Sequence, residues 1–259
     1  MYTDTLTKCG NNALRIKNLI QNHPISFWIG GMMAGAYVGL GIILIFTLGN
    51  QVDPSIRYLV MGATFGIALT LVIIAGAELF TGHTMYLTVG IKTKQLHLID
   101  AVKILPQTWF ANLIGAIIVS YLYYLGGFPQ LFDEHAVMHK IALTKATTPA
   151  FNLFMKGILC NWLVCLSIWM AMRVEGTAKF IAIWWCLLGF IASGYEHSVA
   201  NMSVFALSWL GNHPIEFTTS GIGHNLLWVT LGNTLSGVLF MGLGYWYATP
   251  KDQRPNSLK

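Results

Sequence analysis

Two short stretches carry most of the reactive side chains in an otherwise apolar chain. The first reads Gly76-Ala77-Glu78-Leu79-Phe80-Thr81-Gly82-His83, the second Gly194-Tyr195-Glu196-His197-Ser198-Val199-Ala200-Asn201. Aligned on Gly-x-Glu, they lie 118 residues apart. Each follows a long apolar run, so each sets a carboxylate at a depth where lipid or protein interior is expected. An ionisable group there costs about 2.5–3.5 kcal/mol and marks a partner or a pathway. Glu78 and Glu196 fit two roles, proton carriers or caps for the free N–H groups of a helix starting after each break; capping suits the matched pair better. His197 has an imidazole with an unperturbed pKa of about 6.5, suited to giving a proton to an anion and taking it back. Its plainer role is that of a neutral histidine hydrogen-bonded to backbone. His83 and His224, near the ends of apolar runs, read as interfacial or packing groups. Lys156 reads as a lysine that snorkels.

The elements that must position these residues are membrane helices. Of 259 residues, 55% are hydrophobic and only 10% charged, and the mean hydropathy is +0.59. About a quarter charged residues is usual for a soluble domain, so this composition excludes one. The net charge of +5 sits in loops and tails, which points to membrane topology and not to nucleic acid. Cys9, Cys160, Cys165 and Cys186 show no metal-ligand spacing, and no metal or cofactor is expected. No signal peptide is expected, because the first apolar run starts near Trp28 and is too long for one.

A span needs roughly 20 mostly apolar residues. Trp28–Leu48, Leu59–Ala77, Ile104–Leu125, Ile158–Met172, Phe180–Gly194 and Ile222–Tyr247 predict six. Glycines such as Gly30, Gly31, Gly35, Gly39 and Gly41 predict close helix packing. Eleven Lys and Arg residues, including Arg15, Lys92, Arg173 and Lys259, fall on one side; Arg57, Lys140, Lys145 and Lys156 fall on the other. The positive-inside rule then puts both termini in the cytoplasm. Before the first span, Cys9, Ala13, Ile16 and Ile20 recur at helical spacing beside Lys8, Arg15 and Lys17, which predicts an amphipathic helix over residues 1–25 on the membrane surface. Residues 26–250 form a single transmembrane channel domain and 251–259 a cytoplasmic tail.

The halves repeat, at about 26–126 and 150–248. Asn112 in the third span stands against Asn233 in the sixth, 121 residues later. With three spans per half, the second half is inverted, an arrangement that places a solute pathway at the repeat interface. Apolar character resumes after Glu78 only for Thr84–Ile91 and after Asn201 only for Met202–Leu210, too short to span. The second and fifth spans are thus expected to be broken into half-helices. Their N-termini suit an anion, and irregular backbone at that depth is tolerated where it lines a cavity.

The run IIAGAELFTG (residues 73–82) resembles the first signature of the formate/nitrite transporter family. GILCNWLVCLS (157–167) resembles the second, with Ser167 where the family usually has Ala, and GYEHSVANM (194–202) is similar to its central histidine segment. The likeness covers nearly the whole chain. It implies an all-α, aquaporin-like protomer in the bacterial inner membrane, assembled as a homopentamer with one pore per protomer and acting as a channel or transporter, not an enzyme. The family's central histidine falls on His197 and its companion asparagine on Asn201, beside Glu196. Thr81 is the threonine of the first broken loop, Asn161 the asparagine of the second signature, and Lys145 the vestibule lysine. The resemblance puts Phe65, Leu69 and Phe80 at the cytoplasmic constriction, with Leu79 among the constriction residues, and Phe190 at the periplasmic one. From the residues alone, Phe65 and Phe190 are core aromatics. GHTMYLT, CNWLVCLSIWMA and GYWYATPK point to nitrite within the family, with formate or hydrosulfide as alternatives.

Moving an anion through two apolar rings means burying a charge, which is costly. The expectation is that Lys145 attracts the anion, Phe65, Leu69 and Phe190 gate it, Thr81 and Asn161 orient it, and His197 hydrogen-bonds it or exchanges a proton with it. Two rivals stand outside anion transport. A haem-binding redox subunit would use His83, His197 and His224, but Asn201 stands where a partner to His83 is needed. A neutral-solute channel would carry paired Asn-Pro-Ala motifs, which the chain lacks.

Overall fold

The computed structural model describes residues 1–255. The last part of the expected tail, residues 256–259 with Lys259, lies outside the described residues. The elements are all helical: α1 (Thr3–Asn22), α2 (Pro24–Gln51), α3 (Arg57–Thr64), α4 (Gly66–Thr70), α5 (Phe80–Lys92), α6 (Leu98–Leu125), α7 (Val137–Thr147), α8 (Ala150–Ala171), α9 (Thr177–Ala192), α10 (Ser198–Leu210), α11 (Thr219–Leu235) and α12 (Gly244–Ala248). π-Helical turns at Leu71–Gly76 and Ser236–Leu243 extend α4 and join α11 to α12.

Among the described residues, five helical stretches are long and apolar enough to cross a membrane: Pro24–Gln51, Arg57–Gly76, Leu98–Leu125, Ala150–Ala171 and Thr219–Ala248. The chain is a multi-pass membrane protein. Where the sequence predicts a fifth span, α9 has 16 residues. At 1.5 Å per residue that is about 24 Å, short of a hydrocarbon core of about 30 Å. Helix starts lie further out than the apolar runs. α6 begins at Leu98 and not Ile104, because the His97 N–H donates to Asp100 Oδ2 at 2.9 Å and so closes a polar first turn.

Helix crossings are set by small residues. A Cβ on Gly35 of α2 would collide with the Asn112 carbonyl oxygen of α6, and one on Gly115 of α6 would collide with that of Met32. In the second half a Cβ on Gly232 of α11 would meet the Phe154 carbonyl oxygen of α8. Backbone approach this close leaves no room for any side chain.

Two places interrupt the helical path. After Gly76 (φ +86°) the chain runs extended through Ala77 and Leu79 and turns helical again at Phe80. After Gly194 (φ +68°) it runs to His197 (φ −112°, ψ 116°), and helix resumes at Ser198. Both corners need the left-handed backbone that glycine alone adopts without strain.

The N-terminal helix departs from expectation. Leu6, Cys9, Ala13 and Ile16 are fully buried, so the apolar face of α1 packs on protein, chiefly α5, and not on lipid. Lys8 Nζ donates to the Met172 carbonyl at 2.7 Å, Lys17 pairs with Asp100 at 2.9 Å, and the Thr3 hydroxyl donates to the Gln253 carbonyl at 2.8 Å. The two ends of the described chain therefore share one face of the molecule.

Candidate functional site

The two interruptions meet. Thr81, in the first turn of α5, places its Oγ1 3.1 Å from His197 Nε2, at the start of α10. His197 Nδ1 accepts the Ala200 N–H at 3.1 Å and so caps α10. A ring nitrogen that accepts carries no proton, which leaves the neutral ring's N–H on Nε2, facing Thr81. Asn161 Nδ2 donates to the Asn233 carbonyl at 2.6 Å and lies 3.3 Å from the Thr81 carbonyl, fixing this turn from behind. That Thr81 carbonyl also accepts the Thr84 hydroxyl at 2.6 Å and the Cys165 thiol at 3.4 Å.

The breaks are not capped by the glutamates. Asn112 Oδ1 accepts the Phe80 N–H at 2.9 Å, while its Nδ2 donates to the carbonyls of Gly31 (2.8 Å) and Glu78 (2.9 Å). Asn233 does the same in the other half, with the Ser198 N–H at 2.9 Å, Gly157 at 2.8 Å and Glu196 at 3.0 Å. A neutral carboxamide donates and accepts at once, which a carboxylate cannot, so asparagine alone serves all three backbone groups.

Freed from capping, the glutamates pair with cations. Glu78 takes both Arg15 Nη1 (2.5 Å) and Nη2 (3.0 Å), and its Oε2 lies 2.9 Å from His83 Nε2. Glu196 Oε2 accepts Lys145 Nζ at 2.9 Å and Asn201 Nδ2 at 2.6 Å. Asn201 also donates to Asn225 Oδ1 at 2.8 Å, and Asn225 Nδ2 donates to the Lys145 carbonyl at 2.9 Å. His83, expected to be an interfacial or packing group, is 2% exposed and holds hydrogen-bonding partners on both ring nitrogens. His224, given the same expectation, places Nε2 3.1 Å from the Thr148 carbonyl.

Three cavities share walls in this region. One of about 390 Å³ is bordered by Arg57, Lys140, Lys145, Lys156, Glu196 and His197. A second of about 460 Å³, on the α1 face, is bordered by Arg15, Glu78, Leu79 and His83. Between them lies a pinched space of about 10 Å³ walled by Phe65, Leu69, Leu79, Phe190 and His197. Phe190 and His197 also border the first cavity, and Leu79 also borders the second. The Phe190 ring stacks on His197 at 6.0 Å and meets Phe65 edge-on at 5.5 Å.

Phe65 touches Phe190 and shares one narrow ring with it, whereas Phe80 is buried and borders none of the three cavities. Sequence reasoning missed Arg15, Arg57 and Lys140, which read in the sequence only as markers of topology; folding alone brings them to the cavity mouths. The missed role of His83 had a signal, since it follows Glu78 by five positions as Asn201 follows Glu196.

Cavities that share walls, one of them lined by four cations, with an imidazole at the neck between them, suit a small anion. The comparisons with known proteins agree. The family model for the formate/nitrite transporter matches residues 5–247. The chain is 67% identical to the nitrite transporter NirC of Salmonella typhimurium over 259 residues, covering 100% of this chain and 96% of that protein. It is likewise 67% identical to the nitrite transporter NirC of Escherichia coli K12, covering 98% and 95%. Among solved structures, an FNT family ion channel superposes with a TM-score of 0.95 at 68% identity, covering 95% of this chain and 99% of that one. A pentameric formate channel shares the fold, with a TM-score of 0.72 at 24% identity, covering 86% and 96%. This chain belongs to the formate/nitrite transporter family.

Proposed function

We propose that the protein conducts nitrite across the bacterial inner membrane, through a route inside each protomer of a homopentamer. The observation that carries this is a series of cavities that share walls, rich in cations at one end and closed by Phe65, Leu69, Leu79 and Phe190 around His197. Identity of 67% to two nitrite transporters supports the choice of solute. The membrane part spans residues 26–250 as six helices in two inverted three-helix repeats, with the second and fifth spans broken at Gly76–Leu79 and Gly194–His197. The matched roles of Asn112 and Asn233 support that duplication. Both termini face the cytoplasm, which the bias of Lys and Arg supports.

In this reading Lys145, Lys156, Lys140 and Arg57 concentrate nitrite at the more cationic mouth, where low-dielectric walls focus the field. Glu196, itself held by Asn201, keeps the Lys145 ammonium in place. The anion then gives up water at the Phe65–Phe190 ring and takes the His197 Nε2–H and the Thr81 hydroxyl in exchange. Asn161 and Asn233 keep those donors rigid, so little reorganisation is needed as the anion arrives. Proton exchange at His197 belongs to the same proposal. It requires the ring to release the Ala200 N–H and take a second proton at Nδ1, giving up a cap worth about 1 kcal/mol.

Purified protein in liposomes, with nitrite, formate and hydrosulfide flux followed across a pH series, tests the reading. Nitrite is expected to move fastest, and native mass spectrometry should give a pentamer. Nitrite flux no faster than in empty liposomes would overturn it.

A further inference from the structure

The cavity bordered by α7 holds more positive charge than its walls cancel. Arg57, Lys140, Lys145 and Lys156 border it, against the one carboxylate of Glu196, which Lys145 takes at 2.9 Å. The lysine and arginine ion pairs among the described residues are those of Arg15, Lys17 and Lys145, so Arg57, Lys140 and Lys156 keep their charges. Arg57 is held by neutral groups, its Nε donating to the Gly49 carbonyl at 2.8 Å and its Nη2 lying 3.5 Å from that of Val52. Asp53, four residues earlier, accepts the N–H and hydroxyl of Ser55 on Oδ1 and does not border the cavity. Three unmatched cations around about 390 Å³ are more than a single monovalent anion neutralises.

We propose that this cavity binds a divalent oxyanion, sulfate or hydrogen phosphate, and that the neck holds it back, so that such ions block nitrite entry at the α7 mouth. Attraction and passage scale differently with charge. A potential that enriches a monovalent anion on the order of tenfold enriches a divalent one about a hundredfold, because the interaction energy doubles. The cost of stripping water at an apolar ring grows with the square of the charge, about fourfold for a doubled charge. Beyond the cavity, Phe65, Leu69 and Phe190 wall a space of about 10 Å³, at the lower limit for one water. The donors there are His197 Nε2 and the Thr81 hydroxyl. A tetrahedral dianion has four oxygens to satisfy, so it finds cations in the cavity and too few partners at the neck.

The block is one-sided. On the α1 face the second cavity is bordered by Arg15 and Glu78, and both Arg15 Nη atoms bond the Glu78 carboxylate. A cation matched by a carboxylate leaves no such excess of charge for a dianion. The proposal rests on the nitrite reading for the block but not for the binding.

Sulfate is the probe, since phospholipid headgroups supply phosphate but not sulfate. In phosphatidylcholine nanodiscs at pH 7 and low ionic strength, equilibrium dialysis with labelled sulfate is expected to show saturable binding, one ion per protomer. Replacing Lys140→Gln and Lys156→Gln together should weaken it about tenfold. No saturable binding, or binding that the double variant keeps in full, overturns the site. Should the double variant misfold, Lys140→Gln alone, at an exposed side chain, takes its place with an expected weakening of about threefold. In liposomes carrying the protein in one orientation, sulfate at the α7 mouth should slow nitrite about threefold more than chloride does at equal ionic strength. Sulfate at the α1 mouth should act no differently from chloride. Equal effects at both mouths, or passage of labelled sulfate at the nitrite rate, overturn the block. If wild type carries no nitrite at all, the proposed function fails while the dialysis still decides the site.

Discussion

The clusters around Glu78 and Glu196 use the same backbone and different side chains. In both, a glutamate follows a left-handed glycine by two residues, its carbonyl accepts from a buried asparagine, and its carboxylate meets a cation. On the Glu196 side the cation is Lys145, mostly buried and carried by α7 between the halves; on the Glu78 side it is Arg15, half-exposed and carried by the N-terminal helix. The difference teaches that the two breaks share what holds them open and differ in what borders the cavities beside them. Backbone satisfaction has one good answer at each break, a carboxamide, whereas charge at a cavity mouth has several.

That comparison can be broken or sharpened. The largest effect is expected where the halves agree. Replacing Asn112 or Asn233 by Leu strands one N–H and two carbonyls, each buried unpaired group costing about 1–3 kcal/mol. Each variant should lose roughly 3 kcal/mol or more, read as a lower unfolding temperature in detergent, and the two losses should match. A large loss in one and none in the other would mean that the halves are held by different means.

A smaller effect is expected where they differ. Lys145→Ala leaves Glu196 with Asn201 alone and removes a cation from the first cavity, so nitrite flux should fall about tenfold, with a weaker dependence on ionic strength. Arg15→Ala should cost less, about threefold, because an exposed guanidinium is screened by solvent. Equal losses would show that the surface helix supplies as much of the field as the buried lysine.

Much of this is legible in the sequence. The apolar runs mark the long helices. The two Gly-x-Glu segments mark the interruptions, because a carboxylate inside an apolar run is too costly to leave facing lipid and the glycine beside it frees the backbone to turn. The 121-residue offset pairs Asn112 with Asn233 but does not say what they do. Acidic residues favour helix starts in general, which points to capping by the glutamates; at these breaks carbonyls as well as an N–H need partners, and only a carboxamide meets both. α9 ends two residues before its apolar run does, because a turn at Ser193 and the left-handed Gly194 stop the helix at Ala192. The pairing of Phe65 with Phe190 is not legible, since residues 125 positions apart meet only once α3 and α9 pack together.

The proposed route is narrowest beside His197, whose Nε2 lies 3.1 Å from the Thr81 hydroxyl. Nitrite flux in liposomes for wild type, His197→Asn and His197→Phe tests this most directly. Asn can still accept the Ala200 N–H, so it separates loss of the ring from loss of the cap, while Phe keeps the stack on Phe190 and removes both nitrogens. The predicted result is at least a tenfold fall for Phe and a flux without pH dependence for Asn. Full, pH-dependent flux in the Phe variant would contradict it.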